Sequence, residues 1–194
     1  AIEHTLEGRA SFNVPLLASG IQALGVFVDT TGKADVELPA SAAVGYAQKL
    51  GEDFALMVDI IWTEWSAFDE LRIEYDSLQP DSVTDESWDD AWRVVLGGEY
   101  YAGTDWTLRG GVAFDESPVP DVAHRTPRIP DSDRMWITAG LGYQASENVA
   151  VDIGYAHVFS DDAELNLVSE TGDNLVGDVA GTADVFSVQV AWDI

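Results

Sequence analysis

Apolar and polar residues alternate along most of this chain with a period of two, the signature of strands that are apolar on one face only. The clearest stretch runs from Trp106 to Trp136. Trp106, Leu108, Val112 and Phe114 oppose Thr107, Arg109 and Asp115; further on, Met135, Ile137, Leu141 and Tyr143 oppose Arg134 and Trp136. Pro118, Pro120, Pro127 and Pro130 lie between the two runs, in a polar insert too long for a hairpin turn. The pattern predicts two strands joined by an elaborated loop.

The same plan repeats along the chain. Residues 4–14 predict a first strand, with Leu6, Ala10, Phe12 and Val14 against Thr5, Glu7, Arg9 and Ser11. From Pro15 onward, Leu16, Leu17, Ile21, Leu24 and Val28 follow a helical period that Gly20 and Gly25 weaken. This stretch reads either as a loop helix packed on its neighbours or as an apolar perch where a lipid-like ligand first lands. Residues 35–50 return as a strand made irregular by Pro39, which cannot donate to a ladder. Residues 54–75 form the longest predicted strand. Its apolar face is even-numbered at Phe54, Leu56, Val58, Ile60 and Trp62 but odd-numbered at Leu71, Ile73 and Tyr75, which requires a β-bulge within 62–68. Strands near 92–100, 106–114, 135–143, 149–168 and 186–194 bring the total to about eight.

The connections alternate in length. Residues 15–33, 76–90, 115–133 and 169–182 are long, whereas 50–53, 102–105 and 144–148 are short. A soluble sandwich has no reason to place every long loop at one end, but an outer-membrane barrel does. Aromatic residues gather near strand ends, at Trp62, Trp92, Tyr100, Tyr101, Trp106, Trp136, Tyr143 and Trp192, as interfacial girdles would. The expected fold is an all-β, antiparallel transmembrane β-barrel, with both termini of this chain on the periplasmic side. Residues 1–194 read as a single portion of that barrel.

Composition narrows the function. A formal charge of -26, from 35 acidic against 9 basic residues, excludes a nucleic-acid partner on electrostatic grounds. A 46% hydrophobic content with seven tryptophans argues against disorder. The chain has no cysteine, so disulfide scaffolds and Cys-based zinc sites are out. Nothing resembles a signal peptide or an apolar run of about 18 residues, so neither a precursor nor a helical membrane protein is expected. A mean hydropathy near zero suits a barrel, whose strands alternate.

Six segments resemble the C-terminal part of the FadL family of outer-membrane long-chain fatty-acid and hydrocarbon transporters. They are HTLEGRASF at 4–12, VELPAS at 36–41, DIIWTEWSAFDELRI at 59–73, WRVVLGGEYY at 92–101, WTLRGGVAFDESPVP at 106–120 and IPDSDRMW at 129–136. The resemblance implies a barrel of about 14 strands closed by an N-terminal hatch, with a ligand channel inside and a lateral opening. This chain supplies about eight strands and begins in the middle of that plan. It reads as a fragment whose other half is a separate N-terminal chain, or as a shortened barrel that closes on its own, with an interior just wide enough for side chains.

Transport of this kind needs an apolar path for an acyl chain and a cation for a carboxylate, and no cofactor or bond chemistry. A lumen-facing arginine can hold both carboxylate oxygens with its fork. Arg134 faces inward by alternation and coincides with the arginine of the family's PDxDRxW motif, which the resemblance associates with headgroup binding; Trp136 closes that motif. Arg72 and Arg109 are further candidate contacts, as is Arg93, and Leu16, Leu17, Ile21 and Leu24 form the candidate apolar perch. The bland alternative is a salt-bridge network of these arginines with Glu70, Glu74, Glu99, Asp115 and Asp133 that fills and stiffens the barrel. Asp131 and Asp133 lack a calcium-loop pattern and read as loop-stabilising; His4, His124 and His157 have no metal or triad spacing.

Three functions follow in order. The first is a passive channel for long-chain fatty acids or other hydrophobic molecules, the second a structural or engineered eight-stranded barrel, and the third a lipase-type enzyme. The third ranks last because His157 and Ser160 have opposite parity. The acidic outer loops are expected to face outer-membrane lipid and to bridge to lipopolysaccharide through divalent cations, although a saline habitat explains the charge equally well.

Overall fold

A computed structural model describes residues 2–14, 19–168 and 172–193. Its strands are β1 (Ile2–Ala10), β2 (Thr30–Leu38), β3 (Ser41–Leu50), β4 (Phe54–Thr63), β5 (Glu70–Tyr75), β6 (Ser82–Asp85) and β7 (Ala91–Ala102). They continue with β8 (Trp106–Asp115), β9 (Arg134–Ser146), β10 (Val149–Ser160), β11 (Ala163–Val168), β12 (Asn174–Val179) and β13 (Thr182–Trp192). All named pairings are antiparallel. The chain divides into two compact units, one of residues 1–40 and 64–89, the other of 41–63 and 90–194.

The smaller unit is a four-stranded sheet in the order β1-β2-β5-β6. Among the described residues, the helical stretch predicted from Pro15 contains one short helix, α1 (Ser19–Gln22). Leu16 and Leu17 lie outside the described residues. Gly25 then turns the chain with a φ of +81°, where a Cβ would come within 3.2 Å of the Leu78 side chain. Phe12 packs edge-on against Phe27 and Tyr75, with ring centres 5.7 and 6.1 Å apart. Buried Trp88 is wedged between Trp65 and Phe68 at 5.3 and 5.0 Å. The bulge expected within 62–68 is instead a full break in the strand. A 3₁₀ turn at Trp65–Ala67 separates β4 from β5, which belong to different sheets.

The larger unit is a seven-stranded sheet in the order β13-β10-β9-β8-β7-β4-β3. Three short turns lie at one end of it, and two of them are built on left-handed glycines, Gly51 at φ +76° and Gly103 at φ +74°. The third joins Ser146 to Val149, followed by an irregular register at Val149/Ala150. Residues 116–133 cross at the other end, as does the β11–β12 hairpin. Predicted long strands are thus cut where the backbone needs other partners. Pro39 and Ala40 separate β2 from β3, and Asp161 leaves β10 to donate its N–H to the Asp133 carbonyl at 2.9 Å. The loops after Tyr75 and Val168 contain the unpredicted strands β6 and β12.

Register separates the two faces of this sheet. One carries Val44, Leu56, Ile60, Leu96, Val112, Ile137, Ile153 and Val188, all exposed, the last at 72%. A largely apolar face of seven strands, broken by the His157–Asp184 pair, is far more than a soluble monomer leaves to water and suits a hydrocarbon solvent. Near the short turns Phe54 stacks on Tyr100 at 4.8 Å and Trp106 on Tyr143 at 4.4 Å. At the other end Trp62 pairs across from Trp92 and donates its indole N–H to Asp90 at 3.2 Å. Tyr101 and Trp136 do not belong to these girdles. Their register puts them on the opposite face, where the Tyr101 hydroxyl donates to Glu99 at 2.6 Å.

Candidate functional site

That opposite face is polar at its two ends and small in its middle. Gly97, Gly111, Gly140 and Gly154 occupy it with Ala113 and Ala156, and they floor a concavity of ≈ 460 Å³. At some glycines of this face a side chain would be crowded. A Cβ on Gly111 would meet the Leu96 carbonyl at 3.1 Å and the Thr138 hydroxyl at 3.0 Å; one on Gly142 would meet the Arg109 guanidinium at 2.9 Å and Asp152 at 2.8 Å. Glycine inside a strand marks such close approach.

At the short-turn end, Arg109 lies flat across its neighbours. Its Nε donates to Glu99 at 2.8 Å and its Nη1 to Asp152 at 2.5 Å, tying β7, β8 and β10 together. Lys49 Nζ stands 5.5 Å from the centre of the Tyr101 ring. Arg109 is spanned by carboxylates on both sides, the arrangement of a wall brace.

The loop end is built differently. One row across the sheet reads Ile61, Arg93, Asp115, Arg134 and Ser160. Arg134 reaches Asp115 at 3.3 Å and Asp131 at 3.4 Å. Arg93 packs its guanidinium over Trp136 at 5.1 Å from the ring centre. Trp136 sits in the next row with Ala113 and Val158, both buried. The Nε of Arg93, the Nε of Arg134 and the indole nitrogen of Trp136 are buried without an acceptor. Leaving such a donor unmet costs about 1–3 kcal/mol.

The loop over this end is fixed by its own acids. Ser117 donates its N–H to Asp133 at 2.8 Å and its hydroxyl to Asp131 at 3.0 Å. Arg125 donates to the Asp131 carbonyl at 2.8 Å and to the Glu164 carbonyl at 2.9 Å. Further out, Asp121 accepts from the ring of His124 at 2.9 Å and from the N–H groups of Ala123 and His124. The His124 ring, with the Ala123 amide second, holds the Asp121 carboxyl below the ordinary aspartate range.

The structure therefore brings Arg134, Trp136 and Arg93 together and puts Arg109 six residues down the wall from the Arg93 row, about 20 Å away. Arg72 belongs to the smaller unit, where it grips Glu70 at 2.7 Å and Asp81 at 3.2 Å. Ile21 and Leu24 lie in and just after α1 and are exposed, Leu24 at 70%. His157 points to the apolar face and bonds Asp184 at 2.7 Å, while Ser160 pairs across from Arg134, so the two stand on opposite faces. The glycine floor had a signal in the sequence that alternation alone did not interpret: Gly-Gly at 97–98 and 110–111 and Gly-x-Gly at 140–142, inside otherwise apolar strands.

Comparison with known proteins fits this wall. Residues 1–193 match the family model described as outer membrane protein transport protein (OMPP1/FadL/TodX). A long-chain fatty acid transport protein of Escherichia coli O6:H1 is 36% identical over 127 residues, 66% of this chain and 28% of the relative. A 47 kDa outer membrane protein of Pasteurella multocida is 31% identical over 162 residues, 81% of this chain and 37% of the relative. The chain thus spans roughly a third of these curated relatives. The crystal structure of a Pseudomonas aeruginosa FadL homologue superposes with a TM-score of 0.88 at 26% identity, over 98% of this chain and 46% of that one. A TodX monoaromatic hydrocarbon channel mutant gives 0.63 at 20% identity, over 97% and 42%, a likeness of fold. An antiparallel wall that is apolar on one face and glycine-floored on the other, matched over nearly its whole length, belongs to the OMPP1/FadL/TodX family of outer-membrane transport proteins.

Proposed function

We propose that this chain is the C-terminal portion of one outer-membrane barrel that passively conducts long-chain fatty acids or other hydrophobic molecules, with both of its ends at the periplasmic side. The observation that carries this reading is the pairing of an acceptor-poor Arg134–Trp136–Arg93 cluster with a glycine-floored trough below it. The Arg93–Trp136–Arg134 cluster meets the carboxylate, and the acyl chain lies along Gly111 and Gly140. Leu16, Leu17, Ile21 and Leu24 serve as the first apolar landing. Passage of this kind needs no catalysis. Arg109 and Arg72, each spanned by two carboxylates and neither with a buried donor left unmet, are assigned to stiffening the wall rather than to the ligand. The remaining strands come from the preceding part of the same polypeptide or from a separate N-terminal chain, and the acidic loops meet lipopolysaccharide through divalent cations.

The test is Arg134→Ala in the intact outer-membrane protein. Oleate affinity should fall about tenfold or more, while oleyl alcohol, which has the same chain and no charge, should change little. Equal losses for both ligands would refute the headgroup role.

A further inference from the structure

In the row of side chains at the loop end, the arginines are not equivalent. Arg134 is engaged by Asp115 and Asp131. Arg93 makes no ion pair among the described residues, although Asp115 stands directly across from it as well as from Arg134. Asp115 has gone to Arg134. The partner of Arg93 is instead the Trp136 ring, over which the guanidinium carbon sits 5.1 Å from the ring centre. A cation–π contact uses up no hydrogen-bond donor, and the Nε of Arg93 is buried with no acceptor. A planar, partly desolvated and un-neutralised guanidinium beside a small-residue trough is built for a carboxylate.

We propose that Arg93, stacked on Trp136, makes the direct ion pair with the ligand carboxylate, and that Arg134 is a positioning residue whose task is to hold Asp115 away from Arg93. The proposal rests on the reading of the trough as the path of a carboxylate-bearing ligand. It makes Asp115 the internal competitor of that ligand. When Arg134 is removed, Asp115 is released to pair with Arg93 and the anchor is blocked from within.

Oleate and oleyl alcohol binding to the intact outer-membrane protein distinguishes the roles. Arg93→Ala should weaken oleate about tenfold or more and oleyl alcohol less than about twofold. Arg93→Lys, which keeps the charge but not the planar stack, should fall between parent and Arg93→Ala, showing that the loss is not a collapse of the fold. Arg134→Ala should weaken oleate, and adding Asp115→Asn to it should restore most of the affinity. If Arg93→Ala binds oleate as the parent does, or if Asp115→Asn fails to rescue Arg134→Ala, the proposal is overturned and Arg134 is itself the anchor. If no variant separates oleate from oleyl alcohol, the headgroup reading fails beneath it.

Discussion

Gly111 has its missing side chain set against a backbone carbonyl, and a carbonyl in the middle of a sheet cannot move aside. Gly111→Ala would push a methyl against the Leu96 carbonyl and the Thr138 hydroxyl, so it should destabilise the intact barrel by about 1–3 kcal/mol. Denaturant unfolding in lipid measures this, and an unchanged midpoint would show that the wall has slack there. Asp121 is a separate case, in the loop outside the spanning strands. Its depressed pKa means that its contribution to loop order is fully present above the ordinary aspartate range and is lost as pH falls through the lowered value. Amide exchange at Ala123 and His124, corrected for intrinsic rates, should lose protection in that acid window. In Asp121→Asn it should already be reduced at neutral pH and show no such step. At this scale the parity of Arg134 and Arg109 was legible from alternation, and Glu99 and Asp115 stood among the carboxylates expected around them, but which arginine each would meet was not legible. Two residues in a strand share a face by sequence, whereas Arg134 meets Asp115 and Arg109 meets Asp152 only through the register between strands.

The strands themselves were readable because each has one apolar face, and a period of two survives wherever that face is kept. Where a segment turns to other partners, the pattern misleads. The run from Phe54 to Tyr75 looked like one strand with an extra residue, but a 3₁₀ turn and the Trp65–Trp88–Phe68 cluster interrupt it. Strands β6 and β12 went unseen because Ser82–Asp85 and Asn174–Val179 lie in acid- and glycine-rich sequence with little alternation to detect. The breaks at Pro39–Ala40 and Asp161–Asp162 have backbone causes, a missing donor in one and a hydrogen bond to Asp133 in the other. The one-sided strands also make a prediction about depth. Leu96 is mid-strand on the apolar face and Leu50 is at a turn. Leu96→Arg should cost about 2–4 kcal/mol and Leu50→Arg about 0–1 kcal/mol in lipid-refolding measurements, and equal costs would contradict a membrane-spanning face.

For the whole molecule, the account joins an outer face suited to hydrocarbon, an inner trough floored by glycine, and a guanidinium cluster at the trough's loop end. Both ends of the trough carry arginine, so charge alone does not say where a carboxylate would settle. The difference lies in commitment: Arg109 is closed by Glu99 and Asp152, while the Arg93–Trp136–Arg134 group retains buried donors. The most direct measurement is a crystal structure of the intact outer-membrane protein with a bound long-chain fatty acid. The account predicts the carboxylate within hydrogen-bond distance of the Arg93–Arg134 cluster and the acyl chain along Gly111 and Gly140. A carboxylate at Arg109, or a chain that avoids the trough, would contradict it.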